Sequence, residues 1–183
     1  MNYYRISKYL CRKDLSPHSS CDWTAFSDVG KVINGHEVTL DEYLNAENAY
    51  LSCIFQIMDR CNVKTLCITY LESPQEKKHW REGMHLSGAK LCAFIKDCLR
   101  ENCWGILEHV SFRLDFGFDY YVHIGCSLPL SEVRGIAEKN SMTAEEWEKI
   151  QSGLKLQILR ASLQIRGIIN NWREKRESNN TNK

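Results

Sequence analysis

The stretch WGILEHVSFRLDFGFDYYVHIGC, residues 104–126, reads as two strands joined by a tight turn. Trp104 to Leu114 and Phe118 to Cys126 are rich in branched, apolar and aromatic residues that suit a pleated surface. Asp115-Phe116-Gly117 forms the turn, where Gly117 is free to take a positive φ. A period of two places Phe118, Tyr120, Val122 and Ile124 on one face of the second strand. Asp119, Tyr121 and His123 fall on the other.

Upstream, Ser87 or Gly88 opens a helix that carries Leu91, Phe94, Ile95, Cys98 and Leu99 to about Asn102. Glu72 to Ser87, with Pro74 and Gly83, is the longest irregular segment. Val63 to Leu71 reads as a buried strand. Before it, Thr39 and Glu42 form a capping box. Leu40, Tyr43, Leu44, Tyr50, Leu51, Ile54, Phe55 and Met58 then follow a 3,4 spacing, so a helix spans about 40–60, with Glu47 the one charge in its apolar stripe. Tyr3 to Leu10 is a first strand and 11–20 a polar loop. Asp22 to Lys31 holds a short helical turn packed by Trp23 and Phe26. Downstream, Pro129 starts a helix that ends near Lys139. Thr143 and Glu146 repeat the capping box and open a long helix from about 144 to 172, roughly 40 Å in length. Its apolar residues cover more than one stripe, which suits burial on two sides or a homodimer. Residues 173–183 form a polar tail. The expected fold is α+β: a mixed, mainly antiparallel sheet of about four strands, with helices packed on it and a long C-terminal helix. Residues 1–172 make one domain.

Composition narrows the function classes. With 24 basic against 23 acidic residues among 183, the chain lacks the basic excess of a nucleic-acid binder. No apolar run is long enough for a membrane span. Met1-Asn2-Tyr3-Tyr4-Arg5 lacks the apolar core of a signal peptide, and the expected location is the cytoplasm. The nine cysteines are odd in number and contain no C-x-x-C, which fits free thiols rather than a disulfide framework or zinc site. Cys53, Cys92 and Cys98 read as core residues. Cys11 and Cys21 share a polar loop. No metal or cofactor is expected.

No phosphate-cradling or nucleophile-elbow motif occurs. Asp119 and His123 lie about 13 Å apart along one strand face, too far for an acid–base pair. Residues 116–123 nevertheless concentrate four aromatics, an acid and a histidine. They can be a core strand with a wet outer face, or a recognition surface in which tyrosine gives large contact area at small entropic cost. The candidate partner-binding residues are Glu108, Asp115, Asp119, Tyr121 and His123, with Trp23 and Asp28 as further candidates. Their acids would suit a basic partner.

Tyr4-Arg5-Ile6-Ser7-Lys8-Tyr9, Asp22 to Lys31, Leu99 to Trp104 and Phe116 to Tyr121 resemble motifs of a group of small bacterial cytosolic proteins. That group is associated with immunity proteins encoded beside secreted or contact-delivered toxins. The resemblance covers about residues 3–125 and carries over no catalytic residue. The Cys11–Cys21 loop departs from the group's longer, acidic, glycine-containing segment. The resemblance implies a non-enzymatic protein that occludes a cognate toxin. The alternatives are a small cytosolic enzyme or ligand-binding module with a pocket near the 108–126 hairpin, lined by His123, Tyr121, Asp119 and Cys103, and an assembly subunit using the C-terminal helix.

Overall fold

Among the described residues the strand register is antiparallel, and the apolar strand residues share one core with three helices. The computed structural model describes residues 1–8, 25–33, 35–73, 79–117 and 121–147. Cys11, Cys21, Trp23, Phe118, Asp119, Tyr120 and the expected helix and tail beyond residue 147 lie outside the described residues.

The chain runs β1 (Asn2–Ser7), a 3-10 turn (Phe26–Asp28), β2 (Val32–Ile33), β3 (His36–Glu37), α1 (Leu40–Arg60), β4 (Thr65–Glu72) and β5 (His85–Ser87). It continues through α2 (Gly88–Leu99), β6 (Trp104–His109), β7 (Phe112–Phe116), β8 (Val122–Cys126), α3 (Leu130–Lys139) and β9 (Thr143–Glu146). The main sheet has seven strands in the order β5-β4-β6-β7-β8-β1-β9. Residues Met1–Trp147 form one compact unit. No described helix is long and apolar enough to cross a membrane.

The sheet is larger than the expected four strands for three local reasons. Trp104–Leu114 is not one strand: His109 pairs with Phe112 across a two-residue turn at Val110-Ser111. The His109 ring accepts from the Ser111 amide at 3.3 Å and meets its hydroxyl at 3.0 Å, supplying turn chemistry that the residue types conceal. His85–Ser87 pairs with β4 inside the segment expected to be irregular. Thr143–Glu146 is a strand, not the start of a helix. The Thr143 hydroxyl donates to the Ser7 carbonyl at 3.1 Å instead of capping, and Ile6 and Arg5 pair with Ala144 and Glu145. Long-range pairing overrides the local capping signal.

The helices are built as their residues suggest. Around α1 the Thr39 amide donates to the Glu42 carboxylate at 2.8 Å, and the Glu42 amide donates back to the Thr39 hydroxyl at 3.2 Å. All three described helices end with a reversed 6→1 hydrogen bond, Val63 to Met58, Asn102 to Asp97 and Met142 to Ala137. The residue that turns the chain is in the left-handed region each time: Asn62, Glu101 and Ser141. Tyr50, Ile54 and Ile57 of α1, Leu91, Phe94 and Ile95 of α2, and Val133 and Ala137 of α3 share one core with the strand residues Tyr4, Ile6, Leu66, Ile68, Leu107, Leu114 and Ile124. Gly105 lets Phe94 lie on the sheet, since a Cβ there would stand 2.6 Å from the ring.

Glu47, the charge in the apolar stripe of α1, is buried and paired. Arg100 donates to its two carboxylate oxygens at 2.6 and 2.9 Å, Tyr43 donates at 3.2 Å, and the Lys96 ammonium stands 3.6 Å away. The Arg100 guanidinium also lies over the Phe26 ring. Removing one partner of a buried pair strands the other charge. Arg100→Ala should therefore lower unfolding free energy by about 3 kcal/mol in urea titration; a loss under about 1 kcal/mol would show that Lys96 and Tyr43 suffice. A second outcome concerns acid. The Thr39 amide, then His36, lower the Glu42 carboxyl from its ordinary 4.5 to about 2. A depressed carboxyl stabilises the fold above its unfolded pKa, and that contribution disappears as pH falls through the folded value. The stability advantage of wild type over Glu42→Gln should be constant above pH 4.5 and shrink toward pH 2.

Candidate functional site

The register across β6, β7, β8, β1 and β9 sets two adjoining rows of side chains on the sheet face opposite the helices. One row is Ile106, Asp115, His123, Arg5 and Glu145. The next is Glu108, Arg113, Gly125 and Tyr3. Four of the sequence candidates thus come together here: Glu108, Asp115 and His123 through the register, and Tyr121 through its contact with Arg5. Asp28 does not join them. It lies in the Phe26–Asp28 turn, which packs on α1 through Phe26 against Tyr43, and it pairs with Lys31 at 3.1 Å. Trp23 and Asp119 lie outside the described residues.

The acids of this face are matched by arginines. Arg113 pairs with Glu108 and stands 3.5 Å from Asp115. Arg5 pairs with Glu145. In the two rows, three carboxylates face two guanidiniums, so the surface is near balance rather than strongly acidic. Most of these side chains are half-exposed, and screened pairs of this kind contribute about 0–1 kcal/mol each to stability. Their value lies in fixed, directional charge.

Arg5 is the centre of the arrangement. Its guanidinium lies 4.6 Å from the Tyr121 ring centroid and 5.0 Å from that of Trp147. His123 stacks on Trp147 with centroids 4.6 Å apart and planes at 29°. The Trp147 amide donates to the Tyr3 carbonyl at 2.9 Å, which extends β9 by one residue and carries the indole over β1. Cation–π and stacked contacts of this type hold rings in fixed orientation. His123, expected on a wet face, is consequently only 9 % exposed. It lies against the Trp147 ring rather than on an open face. Sequence reading missed Arg5 and Trp147. Alternation along β1, which sets Tyr3 and Arg5 opposite Tyr4 and Ile6, marks Arg5 as outward-facing; nothing local marks Trp147.

Gly117 is required by proximity, not by a left-handed backbone. Its amide donates to the Tyr121 carbonyl at 2.6 Å, and a Cβ there would meet the His123 ring at 2.8 Å and the Tyr121 carbonyl oxygen at 2.9 Å. The expected positive φ at Gly117 is absent; among described glycines it occurs at Gly30, Gly35, Gly83 and Gly88.

Elsewhere, the loop histidine His79 and Trp80 both contact Asp97, whose carboxylate accepts from the Trp80 indole at 2.7 Å and Asn102 at 3.2 Å. Burial pushes that carboxyl up, but the hydrogen bonds from Trp80, Asn102 and His79 outweigh it and leave it below its ordinary value. Among the described residues, no three His, Cys, Asp or Glu side chains gather as metal ligands.

Comparison of the chain with family models, with curated proteins and with solved structures finds no match.

The packing around Gly117 yields a paired outcome. Gly117→Ala should cost about 2 kcal/mol through overpacking against His123 and backbone. Gly135→Ala, inside α3 with nothing within 4 Å of the new methyl, should instead stabilise by about 1 kcal/mol. Denaturant midpoints of the two variants should move in opposite directions.

Proposed function

We propose that this chain is a non-enzymatic binding protein that neutralises a cognate toxin by occluding it with the outer face of its sheet. The observation that carries this reading is the register itself: it aligns Glu108, Arg113, Asp115, Arg5 and Glu145 in two rows on the face that α1, α2 and α3 leave alone. The resemblance of residues 4–9, 22–31, 99–104 and 116–121 to small bacterial proteins associated with toxin immunity suggests the class of partner. The proposed site of action is the cytoplasm.

The physics of such a face suits occlusion. Seven antiparallel strands give a rigid base, and a standard interface of about 800 Å² per partner fits on part of it. Tyr121 and Trp147, held by Arg5, offer aromatic area that is already ordered, so little rotamer freedom is lost on binding. The Glu108–Arg113–Asp115 chain offers alternating charge. A partner that sets a cation against Glu108 and Asp115 and an anion near Arg113 gains orientation and faster encounter, more than raw affinity. The small excess of carboxylate favours a weakly basic toxin surface.

The test is co-expression and titration with the product of the adjacent gene, using wild type, Asp115→Lys and Glu108→Lys. Both positions are half-exposed, so each variant should keep its stability within about 1 kcal/mol. The expected result is an affinity loss of at least about tenfold, carried mainly by slower association at low salt. Full affinity in both folded variants would remove this face as the site.

A further inference from the structure

Four of the seven described cysteines stand in two close pairs, each joining a helix end to a strand. Cys61, at the end of α1, neighbours Cys126, at the end of β8. Cys98, in the last turn of α2, and Cys103, just before β6, have their Sγ atoms 3.7 Å apart. The second pair is held by a defined chain reversal. Glu101 takes φ 58°, and the Asn102 amide donates back to the Asp97 carbonyl at 2.9 Å, so the chain reverses over the helix end. The Asn102 side chain and the Trp80 indole both donate to the Asp97 carboxylate and pin that reversal. Cys103 is thereby returned to the side of Cys98, and both thiols are buried.

We propose that Cys98 and Cys103 form a peroxide-oxidisable dithiol that closes to a disulfide stapling α2 to β6. The sulfurs must approach by about 1.7 Å to reach the about 2.05 Å of an S–S bond. In the first step one sulfur attacks the peroxide O–O bond, giving a sulfenic acid and one water. The other thiol then attacks that sulfur, forming the S–S bond and releasing the second water. Two thiols lose two electrons and two protons, and hydrogen peroxide is reduced to two waters. Burial, then the neighbouring Cys103 thiol, pushes the Cys98 thiol well up, so thiolate is scarce and the first step is slow. Enforced proximity favours the second step over escape to sulfinic acid. The staple closes a short loop that contains Arg100, the residue that holds Glu47, and so it acts on the tie between α1 and α2.

The experiment treats the reduced full-length protein with hydrogen peroxide, alkylates the remaining thiols after denaturation, and digests with trypsin. Cleavage after Lys96, Arg100 and Arg113 separates the two cysteines into peptides 97–100 and 101–113. The expected product is these two peptides joined, about 2 Da lighter than their sum through loss of two hydrogens, parting on reduction and outnumbering every other cysteine linkage. The oxidised protein should also melt higher than the reduced form, with dithiothreitol reversing the shift. The proposal is overturned if both cysteines remain alkylatable, if they accumulate as sulfinic or sulfonic acids, or if they join other cysteines as often as each other. An oxidised form that melts no higher than the reduced one removes the staple.

Discussion

β1 is hydrogen-bonded on both sides, to β8 and to β9, and the outer face of the sheet depends on that placement. The N-terminal strand brings Arg5 between His123 and Glu145, residues more than a hundred positions away in sequence. Once there, its charge is met by Glu145 and its plane by Tyr121 and Trp147. The contacts are individually small, on the order of 1 kcal/mol each. Together they give β9, an edge strand of four residues, a partner for its side chains as well as its backbone. The same residues order the aromatic part of the proposed binding face.

The helical layer has a corresponding tie on the other face. Glu47 is the buried carboxylate that α1 turns toward α2, and Arg100 answers it at the point where α2 ends. Such a pair adds less to net stability than apolar residues of equal volume would, because both ions must leave water. It does give the apolar α1–α2 packing one directional tie. The reversal after α2 that presents Arg100 also presents Cys103 to Cys98. A bond formed between those sulfurs would therefore be felt at the α1–α2 tie.

Much of the fold was legible where local chemistry decides structure. Thr39 and Glu42 announce α1, and the spacing of Leu91, Phe94, Ile95 and Cys98 announces α2. The errors arose where distant pairing decides. Thr143-x-x-Glu146 carries the same two residue types as the α1 box, yet β1 claims that segment as a strand. Val110-Ser111 has no glycine, proline or asparagine; the His109 side chain supports the turn beside the β6–β7 pairing. The site was partly legible in the same sense. Alternation assigns Tyr121 and His123 to one face, but it cannot say what lies above them. Trp147, at the far end of the described chain, stacks on His123 and leaves it largely buried. Glu108 and Asp115 were legible as candidate acids, but Asp115 and Phe116, read as part of the turn, belong to β7, and the common partner Arg113 appears only when β6 and β7 are seen as a hairpin.

The central claim is that Arg5 locks β9 onto β1 and thereby shapes the outer face. Backbone hydrogen exchange tests it most directly, comparing wild type with Arg5→Ala. The account predicts protected amides within Thr143–Trp147 in wild type, as a paired strand requires. It predicts that Arg5→Ala lowers their protection while the amides of the β6–β7 pair keep theirs. Rapid exchange of the 143–147 amides in wild type, or equal protection in both proteins, would contradict it.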